Sequence, residues 1–92
     1  MNVVDNKEKH RFETFIDGYP AIVEYSVEPG VLVLEHTEVD PALKGRGVAS
    51  DLVENVLLQI ELLGLKVIPK CPFVQKYIQK HPEWKSIVVS SE

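Results

Sequence analysis

Lys44-Gly45-Arg46-Gly47-Val48-Ala49 sets two glycines and two cations directly ahead of an apolar pattern that reads as a helix. Glycine lets a backbone turn sharply and approach a ligand with no Cβ in the way. The first amides of a helix have no partner within it, and the positive end of the helix dipole lies there. Such a start is a ready anion site. Lys44 and Arg46 add charge at its rim, so the chemistry indicated is the holding of a phosphate by main-chain N–H groups. The same two glycines also suit a plain strand-to-helix connection. No Gly-Lys-Ser/Thr closes the run, which excludes a Walker A loop, and G-x-G-x-x-G lacks its third glycine.

A second candidate centre is Cys71, the one cysteine of the chain, directly followed by Pro72. Proline suits the first position of a helix, which makes Cys71 the N-cap. A thiol there faces free amides and the dipole, and both favour thiolate. His36 falls late in a predicted strand, on the face of Leu32 and Leu34 by the period of two. If that strand pairs in parallel with the one ending near Lys70, the two C-terminal ends meet and His36 approaches Cys71. Cys71 would then be a nucleophile or acyl acceptor and His36 its general base. In the competing reading Cys71 is a small buried apolar residue, as free cysteines commonly are, and His36 is a hydrogen-bonded strand residue. Glu35 and Glu38 are read as solvated, His81 as a helix end and Trp84 as a packing anchor. Three separated histidines and one cysteine have no zinc-site spacing, and there is no G-x-S-x-G elbow.

These residues need elements to position them. Residues 1–9 are polar apart from Val3 and Val4, and read as a short edge strand or a frayed end. His10–Ile16 is rich in aromatic and β-branched residues and predicts a strand. Asp17-Gly18 predicts a tight turn, and Tyr19–Val27 the return strand, with Ala21, Val23, Tyr25 and Val27 on one face. Pro29-Gly30 fits a type II turn. Val31–Val39 follows as a third strand, and its first four residues are apolar on both faces, which predicts a central position covered on both sides. Beyond the glycines the period changes. Val48, Leu52, Val53, Val56, Leu57, Ile60 and Leu63 recur at three and four residues, an amphipathic helix ended by Gly64. Leu65–Lys70 returns as a strand, and strand-helix-strand predicts a right-handed parallel crossover. Pro72 opens a short helix with Phe73, Val74, Tyr77 and Ile78 as its apolar face. His81-Pro82 ends that helix, and Trp84, Ile87, Val88 and Val89 close the chain. The fold class is α+β: an antiparallel meander, a strand-helix-strand crossover and a C-terminal short helix on one mixed sheet.

Bulk composition narrows the function classes. At 92 residues the chain has room for one domain, 1–92, and its 45% hydrophobic and 26% charged residues suit a folded globule. A net charge of -4 and a pI near 5.3 lack the basic field that a nucleic-acid binder needs, so no nucleic-acid partner is expected. A lone thiol favours a reducing compartment. No run has the length or flanks of a signal peptide or membrane span, so a cytoplasmic protein without a membrane partner is expected.

His36-Thr37-Glu38-Val39-Asp40-Pro41 followed by Lys44-Gly45-Arg46-Gly47-Val48-Ala49 resembles the central motif of the GNAT superfamily of N-acetyltransferases, Q/R-x-x-G-x-G/A. Lys44 takes the first position, Gly47 the fourth and Ala49 the sixth. Lysine keeps the charge of the first position but not the planar fork of arginine. Cys71-Pro72-Phe73-Val74 and His81-Pro82-Glu83-Trp84 resemble hallmarks of a small single-domain subfamily, the YjdJ-like proteins. The resemblance spans roughly residues 10–88. It implies a GNAT-like fold and acetyl-CoA as cofactor, with pantetheine along Val33–Val39 and pyrophosphate on the amides of Arg46–Ala49. The implied cofactor residues are Val39, Lys44, Gly45, Arg46, Gly47, Val48 and Ala49, with His36 and Cys71 near the acetyl group. Transfer would go directly to an amine, with His36 or water as base, or through Cys71. A non-catalytic module or sensor that binds acetyl-CoA or CoA is the rival, because the resemblance includes no N-terminal helices of the kind that cover acceptors in many GNAT enzymes. A third reading is a plain interaction domain whose glycines only build a loop. The acceptor stays open among peptide, polyamine, antibiotic and thiol, and oligomeric state leaves no signal.

Overall fold

The computed structural model describes residues 1–89. Five strands, β1 (Val4–Asn6), β2 (Arg11–Ile16), β3 (Tyr19–Glu28), β4 (Val31–Val39) and β5 (Lys66–Pro69), form one sheet in sequence order. Helix α1 (Val48–Leu62) links β4 to β5, and α2 (Pro72–Lys80) follows β5. The first four strands are an antiparallel meander, and β4 and β5 pair in parallel. This is the expected α+β architecture. Asp17 and Gly18 turn β2 into β3 with φ of 54° and 82°, the doubly positive pattern that matches a tight hairpin to the strand twist.

Cross-strand pairing assigns the two faces of the sheet. Phe12, Val23, Tyr25, Leu32, Leu34 and Val67 share one side and a single core with both helices. From α1, Val48, Leu52, Val53, Val56, Leu57 and Ile60 are buried in it. Leu63 was expected to extend that stripe, but it is 61% exposed. It is the C-cap, where the chain leaves helical geometry: Gly64 takes φ 73°, its amide bonds to Glu61 O, and the Leu65 amide bonds to Ile60 O. That is a Schellman stop, which turns the last apolar residue away from the core. Phe73 of α2 is likewise 38% exposed, while Val74, Tyr77 and Ile78 are buried.

The opposite side of the sheet carries Arg11, Glu13, Ile22, Glu24, His36 and Glu38, and neither α1 nor α2 contributes to it. Val31–Leu34 is central, between β3 and β5, as expected, and Leu32, Val33 and Leu34 are all buried, but the helices cover only one of its sides. Leu32 and Leu34 face the helices. Val33 faces the other side between its partners Ser26 and Ile68 and is 2% exposed.

A β-bulge interrupts β4. Tyr25 pairs with Leu34 and Glu24 with His36, so Glu35 has no partner of its own. An extra residue on one strand reverses its inside-outside alternation from that point on. Thr37 and Val39 then join the helix side, opposite Val23 and Ala21, and His36 and Glu38 turn to the open side. After α2 a 3-10 turn, Pro82–Ile87, buries Trp84 and Ile87, and Val88 bridges Val67 in parallel beyond β5. Among the described residues no helix is long and apolar enough to cross a membrane.

Candidate functional site

The connection from β4 to α1 is anchored at its start. The Asp40 carboxylate accepts the Ala42 amide at 2.9 Å and caps a 3-10 turn, Pro41–Leu43, whose Leu43 is 1% exposed. Past this anchor the loop runs through Gly45 at φ 80° and Gly47 at φ 71°, backbone that side-chain-bearing residues rarely adopt. Gly47 is the N-cap of α1 and offers no side-chain cap to the amides that follow. Those N–H groups remain free donors. A Cβ built on Gly45 or Gly47 would meet nothing within 4 Å, so open space adjoins both.

That space is a cavity of about 540 Å³ reaching from Val39 along the loop to Phe73, a size typical of small-molecule sites. Lys44, Gly45, Gly47, Val48 and Ala49 line it, together with Ser50, whose hydroxyl the sequence reading did not single out. One end offers amides and an ammonium group. The other offers the apolar surfaces of Val39, Leu43 and Phe73, which explains why Phe73 does not join the core. Such a cavity suits a ligand that is anionic at one end and apolar along its length. Arg46 is the exception among the expected residues. It does not line the cavity, and its guanidinium bonds to the Asp17 carboxylate at 3.0 Å.

The strands part beside this cavity. Pairing of β4 with β5 ends at Leu34 and Pro69. Pro69 has no amide to donate, and the Lys70 and Cys71 amides both turn back to Leu34 O at 3.0 and 2.9 Å. The main chain from Glu35 to Val39 is thus left without a β5 partner. Cys71 is the N-cap of α2, as expected, and is 4% exposed. Burial pushes its thiol up. The Thr37 hydroxyl and the main-chain N–H groups of Val74, Phe73 and Thr37 outweigh that effect and hold it below the ordinary thiol value.

The contact from β4 to Cys71 is Thr37, with Oγ1 3.4 Å from Sγ. The expected approach of His36 is corrected here, because the Glu35 bulge places His36 on the other side of the strand. Its ring is 55% exposed and lies 3.3 Å from the Glu38 carboxylate. The sequence reading missed Thr37 because a strict period of two assigned it to the wrong face.

The family model described as GCN5-related N-acetyl-transferase matches residues 11–87. Protein NATD1 of mouse is 29% identical over 85 residues, covering 89% of this chain and 77% of that protein. Protein NATD1 of human is 29% identical over 89% of this chain and 75% of its own length. Among solved structures, the solution structure of a GCN5-like putative N-acetyltransferase from Staphylococcus aureus superposes with a TM-score of 0.72. It covers 99% of this chain and 90% of its own at 22% identity, a likeness of fold.

Proposed function

The chain belongs to the GCN5-related N-acetyltransferase family, and from that premise we propose that it binds acetyl-CoA in the cavity beside Gly47 and transfers the acetyl group to an amine. The observation that carries this reading is the uncapped start of α1 opening onto that cavity. The free amides of Val48 and Ala49 and the Lys44 ammonium would hold the pyrophosphate. Val39 and Phe73 would flank the pantetheine, next to the stretch of β4 that β5 leaves unpaired.

In this reading Cys71 carries the chemistry, and His36, across the strand beside Glu38, takes no part in it. Thr37 and the start of α2 favour the anionic form of Cys71, and its sulfur attacks the acetyl carbonyl carbon. A C–S bond to Cys71 forms as the bond to coenzyme A breaks, and the proton given up by the Cys71 thiol goes to the departing sulfur. The amine then forms its C–N bond as the Cys71 thioester breaks, and water beside the unpaired stretch of β4 accepts its proton. Direct transfer, with the same base and no thioester, is the shorter route. Mass spectrometry after mixing with acetyl-CoA separates the two: an acetyl adduct on Cys71 supports the first route, and an unmodified Cys71 throughout turnover excludes it.

Calorimetric titration with acetyl-CoA tests the binding step. Gly47→Glu should weaken binding at least tenfold, about 1.4 kcal/mol, by setting a carboxylate against the phosphates. Unchanged affinity would place the pyrophosphate elsewhere. The open side of the sheet supports a second reading, a module or sensor that binds the cofactor without transfer, since neither helix is there to hold an acceptor. That reading predicts tight binding, no transfer to a panel of amines and peptides, and no effect of Cys71→Ala on affinity.

A further inference from the structure

We infer that Asp17, at the tip of the β2–β3 hairpin, is a positioning residue for the phosphate loop and acts through Arg46. The inference rests on the proposed binding site at Gly47. Arg46 stands between Gly45 and Gly47, both at positive φ. Glycine removes the side-chain restraint on its backbone, so a segment with two of them has little local reason to hold one shape. The side chain between them supplies the restraint. Its guanidinium donates to the Asp17 carboxylate at 3.0 Å, 29 residues back in the chain, and does not face the cavity.

The anchor is well chosen for stiffness. Asp17 and Gly18 form a two-residue turn with φ of 54° and 82°, closed by the Ile16–Tyr19 pair. Aspartate tolerates this left-handed geometry better than most residues. The hairpin tip is therefore a fixed post, and the loop is fastened to it from outside. The two cations of the loop divide the work. Lys44 faces the cavity, while Arg46 holds the main chain so that its amides keep their aim.

Both partners are partly solvated, with 48% and 66% of their side chains exposed. The effect expected is that of an exposed ion pair, about two- to fivefold in cofactor affinity. Asp17→Asn is the variant of choice, because asparagine keeps the turn geometry and removes only the charge. In the free protein, backbone NMR order parameters at Gly45 and Gly47 should fall in D17N, while the melting temperature stays unchanged. Calorimetry with CoA should show the two- to fivefold loss in D17N, the same loss in Arg46→Gln, and no further loss in the double variant. Arg46→Lys should recover part of it.

Unaltered order parameters at Gly45 and Gly47 in D17N would overturn the inference whether or not CoA binds. Tighter CoA binding in D17N, or losses that add in the double variant, would also overturn it, since Arg46 would then touch the ligand itself. Failure of the wild-type protein to bind CoA would instead strike at the site proposed above and leave the order-parameter test standing.

Discussion

At the scale of single residues, the most informative contact is Thr37 with Cys71. Free cysteines are commonly buried and inert, and burial does push this thiol up, but hydrogen bonds from Thr37 and the α2 amides more than reverse that. Deprotonation makes the nucleophile, so the rate of alkylation of Cys71 should rise with pH through its titration. Thr37→Val removes one of the bonds that favour the anion, and the profile should move to higher pH. His36→Ala should leave the profile in place, because His36 lies across the strand beside Glu38. Alkylation followed by mass spectrometry over a pH series reads both variants, and equal profiles for wild type and Thr37→Val would remove Thr37 from this role. The sequence announced Cys71 well, since Pro72 marks a helix start. It did not announce Thr37, whose type is ordinary in a strand and whose facing depends on counting residues correctly.

Whole elements were legible where a period was long and its ends were marked. The α1 stripe repeats over four turns and Gly64 stops it, so the helix, the crossover and the strand beyond it follow from pattern alone. What pattern missed sits where geometry departs from its own period. Leu63 continues the three- and four-residue spacing but lies past the helix end. The bulge at Glu35 carries no glycine or proline to mark it, and it arises from the fit of β4 against β3. Two substitutions make the difference measurable in thermal or urea unfolding. Leu57→Ala, at a fully buried position, should cost about 2–5 kcal/mol. Leu63→Ala, on the exposed C-cap, should stay within about 0.5 kcal/mol of wild type. Similar losses at both positions would contradict the capping geometry described for α1.

At the scale of the whole molecule, the sheet is clothed on one side and closed along β5 by the final segment. Val88 bridges Val67, the Val89 amide bonds to Val67 O at 2.9 Å, and Trp84 and Ile87 are buried. Truncation after His81 should therefore expose both apolar core and the unpaired edge of β5, a template for association. Size-exclusion chromatography should show aggregation, and a monodisperse, cooperatively melting truncation would mean that the segment is dispensable. The layered plan was readable from element order. The bare side was not, because alternation in β2 and β3 looks the same whether the outward residues meet water or a second layer. On the covered side, the cavity beside Gly47 bears on chemistry as well. Enzymes that handle activated esters usually shut them away from solvent, and here open space adjoins the loop glycines of the cavity that reaches Phe73. If an acetyl thioester forms at Cys71, some of it should be lost to hydrolysis. Coenzyme A would then accumulate slowly in the absence of any amine, and saturating acceptor would suppress this drain by occupying the place that water takes.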